Sequence, residues 1–146
     1  MRAYLALSAG LHLAWEVIQL PFHAIWQTGS RGEMASAVVH CTAGDVMIAT
    51  LTLVIALVAF GCHAWPANGF TSVMAAALML GGGYTLYSKW INTVVRKSWG
   101  YYDIMPTLPW LGTGVTPLLQ WLIVPSIAFI LADRARLGSA KPRPST

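Results

Sequence analysis

The sequence predicts an all-α polytopic membrane protein: a bundle of four transmembrane helices with an aromatic-rich interfacial loop between helices 3 and 4. Three observations carry this. Of the 146 residues, 56% are hydrophobic and only 10% charged, with a mean hydropathy of +0.59. A soluble domain usually carries about 25% charge, because charge is what covers a water-facing surface. Four apolar runs reach the roughly 20 residues that a bilayer crossing needs. Lastly, the nine Lys and Arg, four of them in the last thirteen residues, flank those runs as membrane-proximal charge does. Nine cations so thinly spread are no phosphate-binding footprint, so nucleic acid is excluded as a partner. The lipid bilayer is the expected partner.

The first span covers about residues 3–20 and is stopped by Pro21. A signal peptide also opens with a basic residue and an apolar run. Here His12 and Glu16 interrupt the run and no small-x-small cleavage site follows, so a retained span is expected. The second span covers about 37–60, after a moderate connection, and the third about 70–88, after a short one without Lys or Arg. Next comes a long stretch, 89–115, holding Trp90, Trp99, Tyr101, Tyr102 and Trp110. Trp and Tyr favour the headgroup level, so this stretch is expected to form an interfacial helix or a lid. The fourth span covers about 116–132. Pro117 suits its first turn, where a missing N–H costs nothing, and Pro125 is expected to kink it. Residues 1–134 therefore form one transmembrane domain, and 135–146 read as a disordered basic tail.

Four spans put both termini on one side. Arg2, Arg134, Arg136, Lys141 and Arg143 lie there, against Arg31, Lys89, Arg96 and Lys97 on the other. The cluster following directly on a span favours cytoplasmic termini, in a bacterial inner membrane. Cys41 and Cys62, if on one helix, stand about 31 Å apart, out of disulfide reach.

Ionisable residues inside a membrane are expensive and mark function by default. The first span carries Ser8, His12, Glu16, Gln19 and His23, at spacings of 4, 4, 3 and 4, on one helix face. The second has His40 and Asp45 near its start. Polar residues also close the third span (Tyr84 to Ser88, then Lys89 and Asn92) and open the fourth (Thr113, Thr116, Gln120). All four sets fall in the same half of the membrane. The expectation is a one-sided polar cavity built from His12, Glu16, His40, Asp45, Tyr87, Asn92 and Gln120, with Trp90 and Trp121 beside it. Asp45 has another reading, an ion pair with Lys89 or Arg96 that locks the loop. His23 and His63 read as interfacial, and Gly81-Gly82-Gly83 as a site of close helix packing.

Two chemistries fit this set. His12 and Glu16, one turn apart, with Asp45 as a second carboxylate, are what proton shuffling on an apolar small molecule requires. In that reading they are the catalytic groups, while His40, Tyr87, Trp90, Asn92, Gln120 and Trp121 line the ligand. The same Asp/Glu/His set also fits a proton- or ion-coupled transporter subunit, although the polar path stops halfway and a homodimer would be needed to complete it. A structural subunit without catalysis is a third reading. No metal or cofactor is expected, since no HxxH, HxxxH or Glu-x-x-His pattern is present.

These residues resemble the four-helix membrane fold of the emopamil-binding protein group (the EXPERA family), which includes sterol isomerase and sigma-type ligand-binding proteins. His12-x-x-x-Glu16 resembles that group's His-x-x-x-Glu, Asp45 its acidic residue in span two, and Gln120-Trp121 through Pro125 its Trp-apolar-apolar-Pro stretch. The likeness covers roughly residues 8–134. It departs where Asp45 replaces a Glu, and where Gln120 directly precedes Trp121 in place of an Asn three residues back. The resemblance implies that His12 and Glu16 handle a proton while Trp121 faces a carbocation-like intermediate. The chain is also generically similar to small bacterial integral membrane proteins, a likeness that implies no activity.

Overall fold

The computed structural model describes residues 1–139 and is helical almost throughout. The elements are α1 (Arg2–Gln19), a 3₁₀ turn (Leu20–Phe22), α2 (Ile25–Thr28), α3 (Arg31–Phe60), α4 (Phe70–Trp90), a π turn (Ile91–Val95) and α5 (Val115–Ser139). The four long helices are each long and apolar enough to cross a membrane. The chain is a multi-pass integral membrane protein with an all-α four-helix architecture.

Local chemistry explains the boundaries. Pro21 lacks the N–H that the α ladder needs, and the chain tightens into the 3₁₀ turn that contains it. The start of α3 is a capping box: the Ser30 hydroxyl accepts from the Glu33 N–H at 3.3 Å, and the Glu33 carboxylate accepts from the Ser30 N–H at 2.8 Å. That cap starts the helix at Arg31, earlier than the apolar pattern indicates. The 30 residues of α3 span about 45 Å, against about 30 Å of hydrocarbon. Beyond α4, Asn92 Nδ2 donates to the Ser88 carbonyl at 2.8 Å and Thr93 Oγ1 to the Lys89 carbonyl at 2.7 Å. Side chains thus occupy carbonyls that the ladder uses, and the helix widens into the π turn. α5 continues to Ser139, into the stretch expected to be tail. Nothing there breaks it, and the i,i+3 pair of Arg136 with Asp133 at 3.0 Å supports its last turns. The rest of the expected tail, residues 140–146, lies outside the described residues.

The helices pack in a closed ring: α1 on α3, α3 on α4, α4 on α5, and α5 back on α1. Small residues make the approach close. Ala49, Ala56, Ala77 and Ala128 are all buried beside Leu53, Val73 and Trp121, as expected where packing drives helix association in lipid. A Cβ on Gly81 would run into the Trp121 ring at Cζ3, whereas Gly82 and Gly83 face open space. Only the first of the three glycines therefore serves packing. Large apolar side chains such as Ile18, Val58, Met79 and Leu122 point outward, toward lipid.

Candidate functional site

The buried residues of α1 are Tyr4, Ser8, His12, Glu16 and Gln19. Its polar stripe is therefore its inward face, while Leu13, Val17 and Ile18 are exposed. Such a helix is inside-out relative to a soluble one, and it brings its polar groups against α3 and α5.

There the side chains converge on one atom. Gln120 Nε2, from α5, lies 2.9 Å from His12 Nδ1, 2.9 Å from Asp45 Oδ2 and 3.1 Å from Glu16 Oε1. Gln19 Nε2 donates to Glu16 Oε1 at 2.8 Å and to Gln120 Oε1 at 3.3 Å. Trp15 Nε1 in turn donates to Gln19 Oε1 at 3.2 Å. A carboxamide has two hydrogens, and here three acceptors surround its nitrogen. Gln120 therefore donates to only two of the three at a time, and the third group is left to find its hydrogen bond within the cluster. His12 Nδ1 is also 3.5 Å from Asp45 Oδ2, so an Nδ1–H can be donated toward that carboxylate. The cluster gathers two carboxylates, one imidazole and two carboxamides among three helices.

A pocket of about 450 Å³ opens beside it. Glu16 and Leu20 form the α1 wall, Ala37, Val38, His40 and Cys41 the α3 wall, and Ala24, Ile25 and Thr28 a third side. The rim holds His23, Lys89, Trp99 and Gly100. Two backbone bonds pin this rim: Ala24 N–H to the Gly100 carbonyl at 3.1 Å, and Tyr102 N–H to the Phe22 carbonyl at 2.9 Å. The His23 ring sits 5.6 Å from Trp99 and 5.7 Å from Tyr101, and Lys89 Nζ lies 4.9 Å over the Trp99 ring. Burial, helped by the Lys89 charge, holds the His23 imidazole down at about 4. Burial likewise pushes the Tyr101 phenol above its ordinary value. His23 is therefore a neutral, partly buried member of an aromatic rim.

The residues expected at the site divide into three sets. His12, Glu16, Asp45 and Gln120 come together in the cluster. His40 lines the pocket from α3, without contact to the cluster. The others go elsewhere. Tyr87 is 56% exposed and Trp90 also faces outward. Asn92 spends its amide on its own helix. Trp121 is buried against Gly81, with its ring 5.4 Å from His12, and does not line the pocket. The ion pair of Asp45 with Lys89 or Arg96 does not form, because Asp45 turns to Gln120 and His12 while Lys89 turns to Trp99. Sequence reasoning left Gln19, Lys89, Cys41, His23 and Trp99 out of the site. Gln19 stood on the polar stripe and Cys41 one turn from Asp45, so both carried a signal. Trp99 carried none beyond its loop's aromatic content.

A second pocket, of about 340 Å³, lies at the other end of the bundle among Tyr4, Leu53, Trp65, Phe70 and Phe129, with Asp133 and Arg136 at its edge. Several buried polar atoms have no partner, among them Tyr4 OH, Ser8 Oγ, His12 Nε2, Thr85 Oγ1 and Trp121 Nε1. Among the described residues no three His, Cys, Asp or Glu side chains stand together as a metal site, and Cys41 and Cys62 are free thiols. Comparison with family models, with curated proteins and with solved structures finds no match to this chain, and its functional reading rests on the cluster and the pocket.

Proposed function

We propose that this protein binds a hydrophobic small molecule within the membrane and moves a proton on it. One observation carries the reading: Glu16 is both a wall of the 450 Å³ pocket and a member of the buried His12–Asp45–Gln120 cluster. A volume of that size suits a small-molecule site, and so do mostly apolar walls with a few polar groups. Glu16 is the group that meets the ligand. Asp45 and His12, held beside Glu16 by the Gln120 amide, form the reservoir that returns the proton, and Gln120 and Gln19 hold Glu16 in place.

Adding a proton to one carbon of a double bond, and removing one from the carbon attached to the other end of it, shifts the double bond by one position. The atoms balance, nothing is oxidised, and no cofactor is consumed. Acid/base isomerisation is therefore the reaction class we assign, the same class that the emopamil-binding resemblance implies. Trp121 has a different part here, since it packs the bundle and leaves the pocket rim to Trp99.

Titrating a hydrophobic tertiary amine into the purified protein in detergent tests the binding. Wild type should bind at micromolar concentration, Glu16→Gln at least ten-fold more weakly, and Trp110→Ala, which alters a side chain 98% exposed, no differently from wild type. Unchanged affinity in Glu16→Gln would sink the reading. Incubating apolar monoenes in D₂O tests the chemistry: deuterium should enter the allylic position with wild type only.

A further inference from the structure

The polar stripe of α1 does not end at the cluster. One turn before His12 stands Ser8, and one turn before that Tyr4, both buried. Their hydroxyls and His12 Nε2 have no hydrogen-bond partner, although Ser8 and His12 are fully buried and Tyr4 is 3% exposed. Thr85 Oγ1 and Trp121 Nε1, on α4 and α5, are likewise unpartnered. Orphaned buried polar atoms are rare and costly to leave unsatisfied. Three of them, Tyr4 OH, Ser8 Oγ and His12 Nε2, follow one another along the buried face of α1, and small polar molecules such as water are what satisfies such groups. The stripe also has an opening at each end, because Glu16 lines one pocket and Tyr4 lines the other.

We propose that this bundle carries protons across the membrane by a relay along the inner face of α1, from the pocket at Glu16 to the pocket at Tyr4. The twelve residues between them rise about 18 Å, more than half of the hydrocarbon core. Successive turns are about 6 Å apart, so one water bridges each gap by two ordinary hydrogen bonds. Imidazole, serine hydroxyl and phenol each donate and accept, as a relay element must. A proton reaching Glu16 or Asp45 passes to His12 Nδ1. The imidazolium gives up its Nε2 proton to the water beside Ser8, and the proton moves on to Tyr4 and out. Return of the imidazole to its first tautomer resets the path. Only O–H and N–H bonds form and break, and one proton enters for each that leaves. The path admits protons and excludes hydrated ions, because Ser8 and His12 are sealed by the same packing that buries Ala49 and Leu53.

The relay shares Glu16 and Asp45 with the proposed ligand chemistry but depends on Ser8 and Tyr4, which that chemistry does not use. The test is proton entry into liposomes holding the full chain and an internal pH dye, after a one-unit pH step with the membrane potential clamped by valinomycin and K⁺. Flux should exceed that of protein-free liposomes. Ser8→Ala and Tyr4→Phe should each lower it at least five-fold while leaving amine affinity unchanged. Both variants delete only an unpartnered hydroxyl, so folding is not at risk, and thermal unfolding checks this. Flux equal to that of protein-free liposomes would overturn the relay. So would flux unchanged in both variants, or K⁺ leakage as large as proton entry when valinomycin is omitted. If amine binding fails while flux persists, the ligand reading falls and the relay stands.

Discussion

Gln120 carries more of the site than any ionisable residue. It is uncharged, yet its amide joins α1, α3 and α5 by touching His12, Glu16 and Asp45 at once. His23 shows how far burial, with one nearby charge, can change a side chain. In the unfolded chain it titrates near its ordinary 6.5, while in the fold it stays neutral down to about 4. Between those values the unfolded state binds the extra proton, so stability falls as pH drops from 6.5 toward 4 and is fully present above 6.5. Thermal unfolding in detergent across that window should show the decline, and His23→Gln should flatten it. An unaltered slope in the variant would place the pH dependence elsewhere. The sequence made His12, Glu16, Asp45 and Gln120 legible, because a polar residue in an apolar run must have a reason. It did not show that Tyr87, Trp90 and Trp121 stand outside the lining of the pocket. Aromatic rings serve the lipid interface, the helix contact and the ligand equally well, and composition does not separate those roles.

At the scale of the element, α1 and the α4–α5 contact set the geometry. The spacing of Tyr4, Ser8, His12, Glu16 and Gln19 was readable as one face, and the structure turns that face inward. Which glycine of Gly81-Gly82-Gly83 matters was not readable, since it depends on where Trp121 lands. Gly81→Ala drives a methyl into the indole, and overpacking of this kind costs about 1–3 kcal/mol. Gly82→Ala meets nothing within 4 Å. The first variant should lower the unfolding midpoint in detergent by several degrees, and the second should leave it unchanged or raise it slightly. Equal midpoints would mean that α4 and α5 pack differently. The π turn after α4 was equally hidden, because it arises from Asn92 and Thr93 capturing carbonyls of the preceding turn. No periodicity announces that.

At the scale of the whole molecule, four spans and their order followed from length and hydropathy, because lipid leaves a chain few ways to satisfy its backbone. The tilt, the ring order and the rim depend on contacts distant in sequence and were not accessible to it. Four crossings require both ends on one side. A cysteine placed before Arg2 and another after Ser139 should react together with a membrane-impermeant maleimide from one face of sealed vesicles, while a cysteine at Gly29 reacts only from the other. Labelling of the two ends from opposite faces would remove one span from the bundle. The unequal helix lengths matter here too. α3 outruns the hydrocarbon by several turns, and its polar start, Ser30 to Glu33, carries the overhang into the headgroup layer. The Ala37–Cys41 wall of the larger pocket lies just inside that overhang, and so the entrance stands at the depth where amphiphilic molecules already collect. A ligand of the kind proposed, dissolved in that leaflet, would find the door by drifting sideways in two dimensions, at a concentration the lipid sets and the surrounding water does not.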